Sequence, residues 1–339
     1  MMKHIYLFLL VLGVMGILGS CHPSAQYHTT IGKNHTYYRI TYQYSHPLDN
    51  EIKDAFTKYY HAINPFDSLS IITAVNQNKD MEVDSLFAGA FHTGMLVARQ
   101  TDGIFDMTCA PLLNLWGFGF SKGDTISPAI IDSVRTFVGY DKVRLVGNKV
   151  VKADPRVQLN FSALGDGYIC DIIGKLLDSK GIENYLVDVG GEMLAKGVNP
   201  NNLNWHIGIN KPVDDSTCTT NEIQQIVQLT GRLGLATSGD YRNFYIKNGK
   251  KYAHTLNPKT GYPAGQDILS ATVIAEDAAI ADAFATAFMA LGREGARKLK
   301  EAHPELEYYF IYSDSIGNFA SEYSAGMDKY LVKTEELKK

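Results

Sequence analysis

Cysteine is scarce in this sequence, with four in 339 residues, and no two of them form a CxxC metal or redox motif. Cys109, Cys170 and Cys218 are scattered through the body of the chain. An odd set at such spacing gives no disulfide framework, so we interpret these three as buried or inert thiols. The fourth, Cys21, belongs to the N-terminal segment described below.

An excess of positive charge is also lacking, because 32 Lys and Arg face 36 Asp and Glu, for a net charge of −4. This balance excludes the electrostatic footprint of a nucleic-acid-binding protein. The sequence has neither a Walker A loop nor the GxGxxG motif of dinucleotide-binding folds. Its 45% hydrophobic and 20% charged residues are ordinary for a globular protein with a sizeable core.

The first apolar run of the chain, residues 5–18, is too short to span a membrane comfortably and is typical of a signal peptide. It ends in LGSC, which resembles the lipobox of bacterial lipoproteins. We therefore predict a signal peptide over residues 1–20 and lipidation of Cys21. Residues 21–35 would form a polar tether, and the lipid would anchor the protein to a membrane, facing the periplasm. A plain secretory signal with a chance cysteine is the alternative.

Residues 36–331 alternate between strand-like and helix-like patterns, which predicts an α+β fold with mixed, largely antiparallel sheets and packed helices. Gly147-Asn148 and Asn248-Gly249 indicate hairpin turns. Residues 103–120 are too irregular for a regular element, and residues 332–339 form a C-terminal tail. The predicted helices are 48–63, 86–101, 128–138, 164–180, 279–291 and 293–303. The predicted strands are 36–44, 158–161, 184–189, 205–210, 223–229, 233–238, 268–275 and 307–312.

One predicted helix contains a carboxylate that its apolar composition does not explain. Residues 279–292 read AIADAFATAFMALG, in which only Asp282 and Thr286 are polar. Four residues apart, they share one helix face. A helix that is apolar almost all round is buried, and a buried Asp needs a partner. Carboxylate and hydroxyl oxygens suit Mg²⁺, while capping of a neighbouring loop by Asp282 is the alternative.

Three further stretches carry candidate chemistry. In LNFSALGDGY (159–168), Gly165 and Gly167 allow a ligand to approach the backbone where helix N–H groups favour phosphate. In HTLNPKTGYP, His254 ends a strand before a turn, where it could bind phosphate, shuttle a proton or be structural. By itself, TDGIFDMTCAPL (101–112) indicates a capped loop entering a helix.

Taken together, these stretches resemble the ApbE-type FAD:protein FMN transferase family. GIFDMTCAPL, NFSALGDGY, ATSGDYRNF with HTLNPKTGYPA, and ADAFATAFMALG occur in that family's order, and DVGGEMLAKG and WGFG also match. The resemblance covers residues 36–331 and implies a single catalytic unit that binds FAD in a cleft. It implies Mg²⁺-dependent transfer of FMN from FAD to a threonine hydroxyl of a membrane-associated acceptor flavoprotein subunit, with release of AMP.

Position by position, the resemblance implies a metal site formed by Asp282, Thr286 and the backbone carbonyl of Ala163. The implied FAD contacts are Ile104, Phe105, Asp106, Asn160, Asp166 and His254. Either His254 or Asp106 would take the proton of the acceptor hydroxyl. Asn160 stands where the family commonly has Asp, and Asp166 stands where Lys or Glu is usual, so both bear on the affinity for FAD.

Two other functions stay open at this point. One is an FAD pyrophosphatase that hydrolyses FAD to FMN and AMP, and the other is a lipid-anchored protein that binds FAD without turnover. Residues 64–76 resemble a Ser/Asn-rich stretch that helps decide between transfer and hydrolysis in the family, but the stretch is shortened here. Incubation with FAD and Mg²⁺ without an acceptor separates the alternatives, because rapid FMN release favours the pyrophosphatase.

Overall fold

The computed structural model describes residues 25–119, 126–212, 222–239, 244–247, 250–264, 267–314 and 316–333. The predicted signal peptide, the predicted lipidation site Cys21, Cys218, the turn at Asn248-Gly249 and residues 334–339 of the tail lie outside these ranges. None of the helices within them is long and apolar enough to cross a bilayer.

A single antiparallel sheet organises the fold. Its eight strands are β1 (Gln26–Asn34), β2 (Thr36–Tyr44), β5 (Tyr185–Val189), β6 (Glu192–Lys196), β9 (Arg232–Gly239), β14 (Ile268–Ala275), β15 (Glu307–Ser313) and β16 (Phe319–Tyr323), in that spatial order. Four two-stranded ribbons pair β3 (Val143–Val146) with β4 (Lys149–Lys152), β7 (Trp205–Asn210) with β8 (Ile223–Leu229), β10 (Phe244–Lys247) with β11 (Lys250–Ala253), and β12 (Leu256–Asn257) with β13 (Tyr262–Pro263). Every neighbouring pair within these sheets runs antiparallel.

Seven α-helices lie in the described residues. They are α1 (Asp49–Ile63), α2 (Ile71–Asn76), α3 (Ser85–Gln100), α4 (Ala110–Trp116), α5 (Pro128–Arg135), α6 (Ser162–Ser179) and α7 (Ala278–Ala302). Helix α6 packs on β5 and β6, α7 packs on β9 and β14, and the two helices contact each other. Buried apolar side chains such as Ile169, Val187 and Phe284 fill the layer between these helices and the sheet. The β7–β8 ribbon contributes to a second, smaller core with Leu235 and Met327.

The predicted α+β class is confirmed, and several elements match closely. Helices predicted at 48–63, 86–101, 128–138 and 164–180 are present as α1, α3, α5 and α6, and Ser127 caps α5 as its sequence position suggests. The two helices predicted at 279–291 and 293–303 form one run, α7, which Gly292 interrupts with a φ of 71°. The left-handed backbone at Gly292 is the conformation that glycine adopts without steric cost.

The prediction of a tether over residues 21–35 is wrong from residue 26 onwards. Residues 26–34 form β1, which pairs along its whole length with β2. The buried Thr30 hydroxyl donates to Asp49 Oδ1 at 2.6 Å, and the Tyr27 hydroxyl donates to the Val198 carbonyl at 2.7 Å. A polar composition suits an edge strand with one solvated face, so the absence of an apolar period did not exclude a strand.

The prediction that 103–120 contains no regular element is wrong for residues 110–116, whereas the loop entering a helix predicted at 101–112 is confirmed. The strand predicted at 158–161 is wrong. Residues 110–116 form α4, with Pro111 in the first turn, where no intrahelical N–H bond is needed. Gly117, with a φ of 79°, ends that helix. Gln158 makes only an isolated bridge to Cys109, so the chain enters α6 without a regular strand.

Candidate active site

A cavity of about 480 Å³ opens where the end of β9, the beginning of α6 and the first half of α7 meet. We call it the main cavity. Of the nine residues that the sequence assigned to FAD or metal binding, eight line it: Ile104, Phe105, Asp106, Asn160, Ala163, His254, Asp282 and Thr286. Residues more than 170 positions apart along the chain are thus brought to one site. Its size lies within the range of small-molecule and cofactor sites.

Asp282 reaches this cavity because two helices and a strand approach one another unusually closely at Ala278. A Cβ atom at Gly167 of α6 would lie 2.3 Å from the carbonyl oxygen of Ala278, and one at Gly234 of β9 would lie 2.4 Å from the Ala278 nitrogen. Both positions therefore require glycine. The Gly167 N–H donates to Asp282 Oδ2 at 3.2 Å, which ties the carboxylate to the beginning of α6.

Asp171 fixes the beginning of α7, a role that the sequence analysis did not assign. Its carboxylate accepts hydrogen bonds from the N–H groups of Ala278 and Ala279, both at 2.9 Å. These are two of the N–H groups that a helix leaves unpaired in its first turn. Burial raises the pKa of Asp171 to about 7.

The electrostatics around Asp282 favour a cation. Its side chain is 7% exposed, and among the described residues no Lys or Arg pairs with it. Burial raises the pKa of the Asp282 carboxyl group, and the nearby Asp166 carboxylate raises it further. Glu192 on β6 also lines the main cavity, and its pKa is raised by burial, then by Asp282 and Asp166. These three acids lie in one region, where burial favours their protonated forms and a bound cation would favour their ionised forms.

Thr286 follows Asp282 by one helical turn and has a hydroxyl neighbour. Its Oγ1 lies 3.2 Å from Oγ of Ser238 on β9, and either atom could donate. In the described part of the chain no cluster of three or more His, Cys, Asp or Glu side chains has metal-binding geometry. A cation here would therefore depend on one carboxylate, hydroxyl and backbone oxygens, and oxygens of a bound substrate.

Asp106 is occupied by structural hydrogen bonds. Its Oδ1 accepts from the backbone N–H and the hydroxyl of Thr108, both at 2.7 Å, and its Oδ2 accepts from the Tyr140 N–H at 2.8 Å. Burial raises its pKa, and the hydrogen bonds oppose that shift. Asp106 therefore holds the loop that precedes α4 against the segment before β3.

Asn160 stabilises the turn that leads into α6. Its Oδ1 accepts from the Ser162 N–H at 2.7 Å, and its own N–H donates to the Met107 carbonyl at 2.8 Å. An amide oxygen accepts the hydrogen bond from the Ser162 N–H as a carboxylate oxygen would. Asn160 therefore preserves the turn, although the resemblance implies Asp at this position. The substitution removes one negative charge from the wall of the main cavity.

His254 and two phenylalanines form the more open part of the main cavity. His254 follows β11, is half-buried, and meets the ring of Phe118 edge-on with centroids 6.5 Å apart. Phe66 is 69% exposed and stands at the cavity wall. Its ring is an aromatic surface on which a planar ligand can stack.

The structure places Asp166 outside the main cavity, in an adjoining space of about 230 Å³ that we call the side cleft. The side cleft shares Phe66 and Ser162 with the main cavity. Asp166 is on the α6 face that meets the sheet, because its Oδ2 lies 2.9 Å from where a Cβ at Gly190 would be. Its pKa is raised by burial to about 6.

The model of the ApbE family matches residues 35–310. The chain belongs to the ApbE family. It is 33% identical over 265 residues to the FAD:protein FMN transferase of Haemophilus influenzae, covering 76% of this chain and 75% of that one. It is 30% identical over 311 residues to the FAD:protein FMN transferase of Vibrio cholerae, covering 87% and 91%.

Solved ApbE structures share the fold. The flavin transferase ApbE from Vibrio cholerae superposes with a TM-score of 0.78 at 28% identity, over 91% of this chain and 100% of that one. The apo form of Pseudomonas stutzeri flavinyl transferase ApbE gives a TM-score of 0.79 at 28% identity, over 90% and 96%. These findings confirm the predicted family and fold class, and the prediction that the protein is an enzyme.

Glu192, Ser238 and Asp171 are the site residues that sequence reasoning missed. Glu192 lies in DVGGEMLAKG and Ser238 in ATSGDYRNF, two of the stretches that carry the resemblance. The signal that could have identified Glu192 and Ser238 is an acidic or hydroxyl residue beside a glycine at the end of a strand. Asp171 is inside α6, where nothing in the local sequence marks a side chain that caps a distant helix.

Proposed function

We propose that this protein transfers FMN from FAD to a threonine hydroxyl of an acceptor flavoprotein, in a Mg²⁺-dependent reaction that releases AMP. The observation that carries the proposal is the buried Asp282 carboxylate, which pairs with no Lys or Arg of the described segments, one turn from Thr286 in a cavity lined by the beginning of α6. The relatives named FAD:protein FMN transferase support the reaction class.

The reaction is a phosphoryl transfer. The acceptor hydroxyl oxygen forms a bond to the phosphorus of the FMN half, the bond from that phosphorus to the bridging oxygen breaks, and AMP leaves with the electron pair. The hydroxyl proton passes to a base. Such reactions depend mainly on positioning and neutralisation of charge, so the protein needs no nucleophile of its own.

The donor set fits Mg²⁺. Asp282 Oδ, Thr286 Oγ1 and the Ala163 carbonyl are hard oxygen ligands at the wall of one cavity, and Mg²⁺ is commonly held by one or two carboxylates plus substrate phosphates. When bound, the ion supplies positive charge to the phosphoryl oxygens and to the leaving AMP. The Gly167 N–H holds the Asp282 carboxylate in place. Ser238 orients the Thr286 hydroxyl through the contact between their oxygens.

The remaining residues bind and orient FAD. The N–H groups at the beginning of α6 favour phosphate, since the unpaired end of an 18-residue helix carries partial positive charge. Phe66 and Phe118 provide aromatic surface for the flavin. Asn160 and the loop held by Asp106 shape the wall between them.

His254 is the better candidate for the base. Both oxygens of Asp106 already accept hydrogen bonds from Thr108 and Tyr140. The imidazole of His254 lines the more open part of the main cavity, and a histidine is the side chain that most often serves as a general base. The variants His254→Ala and Asp106→Ala separate the two roles.

The proposal includes a lipid anchor at Cys21 that holds the enzyme on a membrane, facing the periplasm, where a membrane-associated acceptor is within reach. The LGSC stretch supports it. In cells producing a Cys21→Ser variant, the protein should leave the membrane fraction while the purified enzyme keeps its activity. Membrane association equal to that of the wild type would overturn the anchor.

The reaction is tested by incubating the purified protein with FAD, Mg²⁺ and a threonine-containing acceptor peptide. AMP is followed by chromatography, and the peptide by mass spectrometry for one added FMN. A second incubation omits the peptide. Rapid FMN release there, with no labelled peptide in the first, would show a pyrophosphatase, and FAD binding without AMP release would show a binding protein.

A further inference from the structure

A groove of about 690 Å³ lies between α3 and β3, outside the main cavity. We call it the lateral groove. Its floor is apolar, with Phe91, Met95 and Val143 buried and Leu145 half-buried. Leu96, which is 48% exposed, lines it as well. Phe91 and Met95 are four residues apart and share one face of α3, so the groove follows the helix and has an elongated apolar floor.

Two arginines line the lateral groove beside this apolar floor. Arg99 of α3 and Arg144 of β3 are exposed, and within the described ranges neither side chain forms an ion pair or a hydrogen bond. By contrast, Arg297 pairs with Glu322 on another part of the surface. Asp141 is the one acid among the residues that line the groove. The groove therefore carries an excess of positive charge that the described residues do not neutralise.

This combination of charge and shape fits a polypeptide segment that has both apolar and acidic side chains. Apolar side chains would fill the floor, and carboxylates would pair with the arginines, which bind carboxylates through two parallel hydrogen bonds. A small anion such as phosphate would leave the apolar floor exposed to water, and a flat bilayer would not enter a concave groove. Because the whole chain has a net charge of −4, an acidic partner gains most from a local positive site.

The lateral groove is connected to the main cavity. A smaller cavity of about 290 Å³ lies between them. It shares Tyr140 and Asp141 with the lateral groove, and it shares Asp106 and Pro258 with the main cavity. A protein that brings a threonine to the main cavity therefore has the lateral groove beside it.

We propose that the lateral groove binds an acidic and apolar segment of the acceptor flavoprotein. Its apolar side chains pack on Phe91, Met95 and Leu96, and its carboxylates pair with Arg99 and Arg144. This inference rests on the proposed function. The segment is separate from the threonine that receives FMN, so its binding raises the local concentration of that threonine without altering the chemistry at phosphorus.

The test uses the full mature protein, FAD, Mg²⁺ and three synthetic peptides. The first is a short threonine peptide. The second is the same peptide joined through a glycine–serine linker to a segment of leucine and glutamate, and in the third peptide lysine replaces the glutamate. Labelling is followed by mass spectrometry. We expect the leucine–glutamate extension to lower the peptide KM about 3- to 10-fold with kcat unchanged, and the leucine–lysine extension to give no such gain.

Variants of the groove locate the effect. The double variant Arg99→Gln/Arg144→Gln removes both charges, and Leu96→Ser removes an exposed apolar contact. Both should abolish most of the gain from the leucine–glutamate extension. The KM of the unextended peptide and the dissociation constant for FAD should not change. Arg39→Gln is the matched control, because Arg39 is also exposed but lies on β2, outside the groove. It should keep the full gain.

Binding is also measured without the reaction, by fluorescence anisotropy of a labelled leucine–glutamate segment that lacks threonine. Equal binding to the wild type and the double variant would overturn the inference, as would no binding to the wild type. Vesicles of anionic lipid are tested in parallel, and binding of vesicles in place of the segment would also overturn it. A protein that binds the segment but labels no threonine peptide would instead overturn the proposed function, so the two failures are distinguishable.

Discussion

The backbone N–H of Gly167 donates to the carboxylate of Asp282 at 3.2 Å, across the contact between α6 and α7. This one bond links the first turns of α6, which we propose bind the phosphates, to the acid that we propose binds the cation. The close approach of the two helices at Ala278 makes it possible. The packing of the fold and the chemistry of the site therefore depend on the same few atoms, and several consequences can be measured.

Replacing the buried acid should separate stability from activity. Asp282→Asn removes a buried, unpaired charge, so the metal-free protein should be at least as stable as the wild type. Mg²⁺-dependent AMP release should fall on the order of 10²–10³-fold, as for other lost electrostatic groups. Thermal unfolding with and without Mg²⁺, together with AMP chromatography, measures both.

Asp171→Asn is the matched control, since Asp171 is also buried but caps α7. Its amide nitrogen would face a helix N–H, so the unfolding free energy should drop by about 1–3 kcal/mol. The increase in Tm on adding Mg²⁺ should persist. The account would be contradicted if both variants behaved alike.

The effect of Mg²⁺ on stability should depend on pH. Burial raises the pKa of Asp282, and Mg²⁺ binds only the deprotonated carboxylate. An acid with a raised pKa in the folded state stabilises the metal-free fold at low pH and loses that contribution as the pH rises through the raised pKa. The increase in Tm caused by Mg²⁺ should therefore grow from about pH 5 to about pH 8. An increase of the same size at both ends, in wild type and Asp282→Asn alike, would count against metal binding at Asp282.

Replacing His254 and replacing Asp106 should lower activity for different reasons. His254→Ala is expected to lower kcat for peptide labelling by about 10²–10⁴-fold if the imidazole takes the proton, with Tm close to that of the wild type. Asp106→Ala breaks three hydrogen bonds to Thr108 and Tyr140, so it should lower Tm and weaken FAD binding. A stable Asp106→Ala protein with a large loss of kcat alone would instead make Asp106 the base.

Gly167→Ala tests whether the close helix contact positions Asp282. The added methyl group would lie 2.3 Å from the backbone oxygen of Ala278, which cannot move without displacing α7. We expect a lower Tm and a higher Mg²⁺ concentration for half-maximal AMP release. Gly174→Ala, also in α6, is the comparison, because its methyl group would meet the flexible end of Leu194 at 2.3 Å. It should leave the Mg²⁺ dependence unchanged, and an equal shift in both variants would mean general destabilisation.

Elements with a strong local pattern could be predicted from the sequence. Helix α6 and strand β14 have regular apolar spacing and glycine or polar boundaries, and both were predicted closely. Strand β1 was missed because its polar residues are stabilised by pairing with β2 and by contacts such as that of Thr30 with Asp49. Those partners are set by the tertiary fold, which local sequence does not reveal.

The candidate site, like the fold, could be predicted only in part from the sequence. Asp282 and Thr286 stood out because two polar residues interrupt an apolar helix. Asp166 was assigned to FAD from its position in a motif, but the rotation of α6 turns it into the side cleft. Glu192 becomes part of the site only because β6 lies beneath α6 in the sheet order. Such neighbours follow from topology rather than from spacing along the chain.

The most direct measurement is the yield of FMN-labelled threonine peptide, by mass spectrometry, from wild type and Asp282→Asn at saturating FAD and increasing Mg²⁺. The wild type should give one added FMN per peptide, with one AMP released, only when Mg²⁺ is present. Asp282→Asn should bind FAD and give almost no labelled peptide at any Mg²⁺ concentration. Equal labelling by the two proteins, or labelling by the wild type in the presence of a chelator, would contradict the assignment of Asp282 to a metal site that drives FMN transfer.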